Sequence, residues 1–432
     1  MNVVIILNGD CKMEDNRLKR LDQYLTKPFF SYPSNVKCKD GTYQEWYRNG
    51  NLSLQCEYVD GKLNGWCEKW YENGLPLSKC QYADGELNGV YQKWNDNGTS
   101  EFKSQYDKGK PKGAYEGWYK NGVTKLRGSD LDGERDGVYN EWYENGNCKI
   151  KCNYIRGKLH GKYEDYYKNN NPRISCEYDE GNLHGQYKDF HENGNIRTKC
   201  EYFENKITGN IVCWHQNGNL HIKTNYLRPS SSMKETTSES MLDGIYEEWY
   251  SNGHLRLKQT YVRGELHGVS EFRYDTSVIA IRGEYYKGKL HGIYEKWYEN
   301  GSLRSKQRYI DNVRDGILEE WHENGNITFK TESHGGKWQG TVERWYANGN
   351  RLSRTYHDDN GQRHGVYEEW YENGNISSRC SYIKGKINGL YEEWYINGGV
   401  KSRLHFEDGK RSGMCEEWYE NGVQSVKYFA SV

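Results

Sequence analysis

Apolar residues are scarce in this chain: hydrophobic types make up 34% of its 432 residues, a share that without patterning leads to disorder rather than a packed core. Long apolar runs are missing as well. The run from Val3 to Leu7 ends at once in Asn8-Gly9-Asp10, too short and too poorly flanked for a signal peptide or a membrane span. Charge of one sign is also lacking. The 60 basic and 61 acidic residues are interleaved and leave a net charge of -1, so there is no broad positive field to attract nucleic acid or anionic lipid. No glycine-rich phosphate loop opens a helix, and no local serine or cysteine nucleophile motif is present. These absences lead us to expect a soluble, cytoplasmic protein that is not an enzyme, with no catalytic residue, metal site, cofactor, nucleic-acid partner or membrane span.

Aromatic residues are plentiful, and they recur. The 39 Tyr and 15 Trp fall at regular positions, which argues for ordered burial. The stretch GVYEEWYENG from Gly365 to Gly374 returns along most of the chain. Its closing Asn-Gly begins at Asn49, Asn73, Asn97, Asn121 and Asn145, then at Asn193 and Asn217, in steps of 24. It resumes at Asn252, Asn300, Asn324, Asn348, Asn373, Asn397 and Asn421. The period implies two more copies, at Asn169-Asn170 and Thr276-Ser277, giving sixteen repeats in all. A fixed period of this length marks a stacked array rather than independent domains.

Residues 1–40 precede the array. Glu14 to Leu25 has Leu18, Leu21 and Leu25 at helical spacing, and Phe29, Phe30 and Tyr32 suggest a cap over the first hairpin. Repeats occupy residues 41–227 and 241–432. The polar stretch between them, Arg228 to Ser240, reads as a surface insertion, with a hinge or a phosphorylated loop as the functional alternative.

Each repeat reads as strand, tight turn, strand, loop. Asn-Gly between aromatic or branched runs predicts a type I′ hairpin turn with positive φ at both residues, as at Asn49-Gly50 and Asn373-Gly374. A two-residue loop then sets Glu68 opposite Lys79, Glu116 opposite Arg127, Glu247 opposite Lys258, Glu271 opposite Arg282 and Glu295 opposite Lys306. It likewise pairs Glu319 with Lys330, Glu343 with Arg354, Glu368 with Arg379, Glu392 with Arg403, and Glu416 with Lys427. Ten opposite-charge pairs from one rule fix the register. One face should carry Tyr43, Tyr47, Leu52, Leu54, Cys56 and Tyr58. The other should carry the charges and a tryptophan. Eight residues before each turn a glycine stands in all sixteen copies, from Gly41 through Gly365 to Gly413, as expected where positive φ or close backbone approach is needed.

Several residues invite a chemical reading. His160, His184, His267, His291 and His364 occupy a turn position that other copies fill with Asn or Asp, and their spacing is too wide for shared zinc ligands. Adjacent glutamates such as Glu368-Glu369 should point to opposite faces and so cannot act together. Cys56, Cys80, Cys152, Cys176, Cys200 and Cys380 share one repeat position, with copies about 10 Å apart, and read as small buried side chains rather than a disulfide framework. Cys67 and Cys80 differ: they face one another across a hairpin, where a disulfide is geometrically admissible, although a reducing cell would keep them as thiols. The candidate binding surface is the row Trp46, Trp70, Trp94, Trp118, Trp142, Trp214, Trp249, Trp297, Trp321, Trp345, Trp370, Trp394 and Trp418. It is either a ladder of stacking platforms for a glycan, a cationic group or a peptide, or a set of rings packed on neighbouring hairpins. Regular recurrence favours the second.

With GVYEEWYENG and the LSxxxYxxGKLxG pattern that follows it, the chain resembles MORN-repeat variant arrays, similar to proteins so labelled in bacteria and in giant viruses of protists. The resemblance spans about nine tenths of the sequence. It implies an elongated, twisted all-β sheet or solenoid of consecutive hairpins used for binding or scaffolding. Ordinary MORN repeats are a residue or so shorter and centred on YxGxW, so their membrane association does not transfer. Some bacterial relatives are named as antitoxin components. The expected function is a protein–protein interaction scaffold, with a protein partner and with homodimerisation through the terminal edge near Val423 to Phe429. The alternatives are a glycan- or cation-binding module and an antitoxin-like neutralising protein.

Overall fold

Residues that alternate between aromatic or branched and charged types suit a pleated strand with two unlike faces. In the computed structural model, which describes residues 40–227 and 241–431, these stretches form 38 strands, and no helix occurs among the described residues. The helix expected over Glu14 to Leu25, the cap at Phe29 to Tyr32 and the insertion from Arg228 to Ser240 lie outside them. The chain forms two compact units, Met1–Gly194 and Asn195–Val432. In the first, strands run antiparallel in sequence order from Gly41–Trp46 to Asn182–Phe190. In the second they do so from Ile196–Phe203 to Gln424–Ala430.

All ten charge pairs stand in the expected register. The turn that produces them is not the expected one. At Asn73-Gly74, the Gly74 N–H donates to Tyr71 O at 2.9 Å and the Tyr71 N–H to Leu75 O at 2.8 Å. Gly74 has φ of 83°, whereas Asn73 is not among the positive-φ residues. The loop therefore has three residues, a type I turn closed by a left-handed glycine. That shifts the pairing by one, so Trp70 meets Pro76. A β-bulge then shifts it back, so Lys69 meets Ser78 and Leu77 is left over. Two offsets of opposite sense cancel, and the charged residues arrive where a two-residue loop would have put them. Asn49-Gly50 and Asn373-Gly374 follow the same pattern. The type I′ turns occur at the other edge of the sheet, in pairs such as Asp60-Gly61, with φ of 51° and 71°.

The bulge also corrects the face assignment. Tyr43, Leu54, Cys56 and Tyr58 share the tyrosine face, and Glu45 stays there, accepting from the Tyr43 hydroxyl at 2.7 Å. Leu52 instead lies opposite Trp46. Tyr47 leaves the face at the turn and donates its hydroxyl to Trp70 O of the next repeat at 2.7 Å. That clasp recurs, for example from Tyr71 to Trp94, Tyr371 to Trp394 and Tyr395 to Trp418, each at 2.8 Å.

All sixteen repeat glycines have positive φ, 118° at Gly41 and 80° at Gly365 among them, which explains why no copy carries a side chain there. Cys56, Leu63, Cys67, Cys80, Tyr82 and Leu87 form a buried cluster on the tyrosine face of the first unit. Apolar burial of this kind contributes about 1.5–3 kcal/mol for each large side chain. In the second unit a cluster forms around Leu318, Phe329 and Val342, with Trp338 packed on it.

Candidate binding surfaces

In eleven of the Asn-Gly turns the asparagine side chain also reaches the next turn, so that it is held twice where the local bond is made as well. Asn73 Oδ1 accepts from Leu75 N at 3.0 Å, closing a local turn, while its Nδ2 donates to Asp96 O in the following turn at 3.0 Å. Asn49 does the same with Asn51 N and Glu72 O, and Asn373 with Asn375 N and Ile396 O. These asparagines thus recur for two side-chain hydrogen bonds, one inside the turn and one between repeats, and not for left-handed backbone. The spacing of 24 was the available signal, because it stacks each turn on the next.

On the opposite face the charges do more than pair within hairpins. From Lys223 to Arg403 each base also faces the acid of the next repeat. Lys223, Glu247, Lys258, Glu271, Arg282, Glu295, Lys306, Glu319 and Lys330 follow one another strand by strand, and Glu343, Arg354, Glu368, Arg379, Glu392, Arg403, Glu416 and Lys427 continue the row. The signs alternate without a break. Within hairpins the contacts are short, 3.0 Å for Glu247 with Lys258 and 2.8 Å for Glu416 with Lys427. Beside this ladder runs an aliphatic row from the residue after most repeat glycines of the second unit: Ile245, Val269, Ile317, Val366, Leu390 and Met414, exposed from 37% at Val269 to 53% at Ile317 and Val366, with Ile293 half-buried and Thr341 interrupting the row. The sequence reading overlooked this row, although it sits at a fixed offset from a glycine that the reading had singled out.

All thirteen tryptophans of the expected row lie at strand ends, beside the bulge. Trp46 is 59% exposed, while the other twelve are half-buried. Basic residues cover several of the rings: Arg127 lies 5.8 Å from the Trp142 centroid, Arg351 5.5 Å from Trp370, and Arg403 5.9 Å from Trp418.

Cys67 and Cys80 are directly opposed, as expected, but the disulfide is not theirs. Cys67 also faces Cys56 on its other side, with a Cα–Cα distance of 4.1 Å, and is bonded to it. The bond joins the two strands that meet across the loop, a pairing distinct both from neighbouring copies two strands apart and from partners across one Asn-Gly hairpin. Cys80 keeps a buried thiol, its Sγ 3.4 Å from Cys67 O, and burial pushes its pKa up to about 11. Cys152, Cys176, Cys200 and Cys380 are buried.

Other candidates resolve into local contacts. His160 lies 3.3 Å from Asp179 and His291 3.3 Å from Asp311. Among the described residues no group of three His, Cys, Asp or Glu side chains could hold a metal ion. Glu368 binds Arg379 on the charge face, whereas Glu369 accepts from the Tyr367 hydroxyl on the tyrosine face at 3.0 Å. The two carboxylates are therefore separated by the sheet. A cleft of 520 Å³ opens on the last repeats, lined by Tyr391, Glu393, Lys401, Leu404, Phe406 and Arg411 among others. The terminal strand Gln424–Ala430 pairs with Gly413–Trp418 and exposes Phe429.

Asp130 is the most perturbed carboxylate. It takes a position that most repeats fill with tyrosine, is 5% exposed and leaves Oδ2 without a partner. Burial raises its pKa to about 6, against a smaller lowering by Arg135. That arginine sits 5.0 Å from the Tyr139 ring centroid and donates to the Tyr154 hydroxyl at 3.3 Å.

Sheet, turns and faces together define an all-β hairpin-repeat protein. Seven segments match the family model described as MORN repeat variant, at residues 39–60, 135–156, 183–205, 242–263, 290–311, 314–332 and 363–384. The chain belongs to the MORN-repeat family. No curated protein matches it in sequence. Among solved structures, the crystal structure of TcdB2-TccC3-Cdc42 is similar at 8% identity and a TM-score of 0.16, covering 89% of this chain and 26% of that one. A mutant Tc holotoxin pore from Photorhabdus luminescens is similar at 10% identity and a TM-score of 0.14, covering 92% and 22%. The chain thus spans about a quarter of those chains, and at such scores no property passes from them to it. No helix among the described residues is long and apolar enough to cross a membrane.

Proposed function

We propose that this protein is a non-enzymatic scaffold that binds another protein across the charge face of its second unit. The observation that carries this reading is the aliphatic row from Ile245 to Met414, exposed in line beside a charge ladder that neutralises itself. Apolar area laid out at a fixed step, without a net field, suits a protein surface more than a small ligand. The tryptophans then act mainly as packing, stacked under arginines at the ends of the strands.

The test is affinity purification from native cells with three proteins side by side: wild type, an Ile317→Asp, Val366→Asp, Leu390→Asp triple variant, and a Trp370→Ala, Trp394→Ala, Trp418→Ala triple variant. Circular dichroism confirms folding of each. A partner lost from the folded aspartate variant supports the reading. A partner retained by that variant and lost from the folded tryptophan variant moves the contact to the aromatic row and overturns it.

A further inference from the structure

Asn-Gly is the sequence in which an asparagine side chain is most open to attack by the following backbone nitrogen, because glycine has no Cβ in the way. This chain repeats that sequence at its turns and so carries an unusual number of reactive sites. The fold treats them unequally. In eleven Asn-Gly turns the asparagine Nδ2 donates to a backbone carbonyl of the next turn, at distances such as 2.8 Å for Asn49 and Asn324. At Asn397 the acceptor is instead the Glu420 carboxylate, at 3.4 Å.

Two exposed turns lack this tie. Asn421 keeps the local bond from Val423 N to its Oδ1 at 3.1 Å, but its Nδ2 has no acceptor among the described residues. Asn360 sits in a three-residue loop of the same build, with the Gly361 N–H donating to Asp358 O at 2.8 Å and φ of 78° at Gly361. Its own side chain has no partner among the described residues, although its backbone N–H donates to Asp358 Oδ1. Asn64, Asn88 and Asn388 also precede glycines, but they are half-buried and fall outside this comparison of exposed turns.

We propose that Asn360 and Asn421 are sites of spontaneous deamidation, and that the turn-to-turn hydrogen bonds suppress the same reaction in the eleven tied turns. In the reaction the Gly422 nitrogen attacks Asn421 Cγ. The N–Cγ bond forms, the Cγ–Nδ2 bond breaks, and ammonia leaves with the proton from the glycine amide. Water then adds to either carbonyl of the resulting succinimide and gives aspartate or isoaspartate. To reach that geometry, the carboxamide must turn over the glycine nitrogen. At Asn49 or Asn324 this breaks both the Oδ1 and the Nδ2 bonds, at Asn421 one bond, and at Asn360 none. Either product places a negative charge at an exposed tip, and isoaspartate also lengthens the backbone there by one atom.

The test is incubation of the full folded chain at mildly alkaline pH, followed by peptide mapping that reads the amide-to-acid mass gain and distinguishes isoaspartate by fragmentation. A parallel sample is held unfolded in urea. Asn421 should convert roughly tenfold faster than the tied turns in the folded chain, the rate equivalent of about one hydrogen bond, and Asn360, which has no side-chain bond to break, faster still. In urea the differences should collapse to those set by the neighbouring side chain alone. Equal conversion across all turns of the folded chain, or slower conversion at Asn421 than at Asn324, would overturn the proposal.

Discussion

The two units use the same repeat and hold it together differently. On the charge face of the first unit the row reads Gln44, Gln55, Glu68, Lys79, Gln92, Lys103, Glu116, Arg127, Asn140, Lys151, Glu164, Ser175 and Lys188, opening on two neutral residues and interrupted at Gln92, Asn140 and Ser175. In the second unit Val212 interrupts the row between Lys199 and Lys223, and from Lys223 to Lys427 the alternation is unbroken. The tyrosine face differs in the other direction. The first unit packs cysteine, leucine and tyrosine into a cluster, whereas the equivalent column of the second passes through buried Gln307, Thr331 and Thr355. One repeat geometry thus tolerates two divisions of labour, with apolar packing weighted in one unit and cross-strand charge in the other.

The largest expected effect breaks the first half of that comparison. Leu87→Ala removes a buried leucine from the cluster and should cost about 2–5 kcal/mol, read as lost amide protection by hydrogen exchange mass spectrometry across residues 62–94. Protection at the Leu318 cluster should not change. Loss there of equal size would mean that the chain unfolds as one cooperative body, and the contrast between the units would have no energetic meaning.

Asp130 is the polar exception in the first unit, and its pH dependence has a definite sign. Its folded pKa, about 6, lies above the ordinary 3.8, so its favourable contribution is fully present below about pH 4 and is lost as pH rises through about 6. The charged groups around it, Arg135 above all with Tyr106 and Tyr115 beside it, keep their own charge states over that range. Wild-type urea midpoints should therefore fall between acidic and neutral pH by an amount equivalent to roughly 2–3 kcal/mol. Asp130→Asn should flatten the profile and raise stability at neutral pH. A variant with an unchanged slope would show that some other group titrates.

Gln307 tests the polar column of the second unit. It is 3% exposed, and its Oε1 has no partner although its Nε2 donates to Arg308 O at 3.1 Å, so Gln307→Leu trades one hydrogen bond for relief of an unpaired buried oxygen and should stabilise the protein by about 1 kcal/mol. Destabilisation would show that the column needs its polar groups, which would sharpen the contrast with the first unit. Tyr371→Phe removes only the hydroxyl clasp onto Trp394 O and should cost about 1 kcal/mol, with exchange accelerated locally around the turn at residues 394–400.

Period, strand order, register and the glycine row were all legible in the sequence, because each rests on identity repeated at a fixed step. What stayed hidden came from offsets and from exceptions. The type I′ assignment failed because two one-residue shifts cancel at Leu77, so the correct pairing of Glu68 with Lys79 could not reveal the wrong turn. Placing Tyr47 and Leu52 on the tyrosine face failed for the same reason. The Cys56–Cys67 bond needed the pairing across the loop, where a shift between Cys56 and Tyr58 hides the register from any rule based on the Asn-Gly turn. Asp130 is the one carboxylate in a column that is mostly tyrosine and that elsewhere gives way to Ser333, His357, Phe406 and Ala430, and a pattern read from recurrence passes over a departure of that kind.

The smallest expected effect addresses the ladder directly. Gln92 stands between Lys79 and Lys103, so Gln92→Glu would give the first unit an unbroken alternation from Glu68 to Arg127. Glu319→Gln would introduce into the second unit the kind of break that the first already carries, between Lys306 and Lys330. Each exposed pair is worth about 0.2–1 kcal/mol, so the two variants should shift urea midpoints by small and opposite amounts. Both shifts should shrink at high salt, where screening shortens the reach of exposed charges. If the alternation is cooperative, Glu319→Gln loses more than Gln92→Glu gains, because the break separates two long runs of pairs while the repair joins short ones. Equal and opposite shifts would instead mean that the ladder is a sum of independent pairs, and that its continuity in the second unit adds nothing to the stability of any one of them.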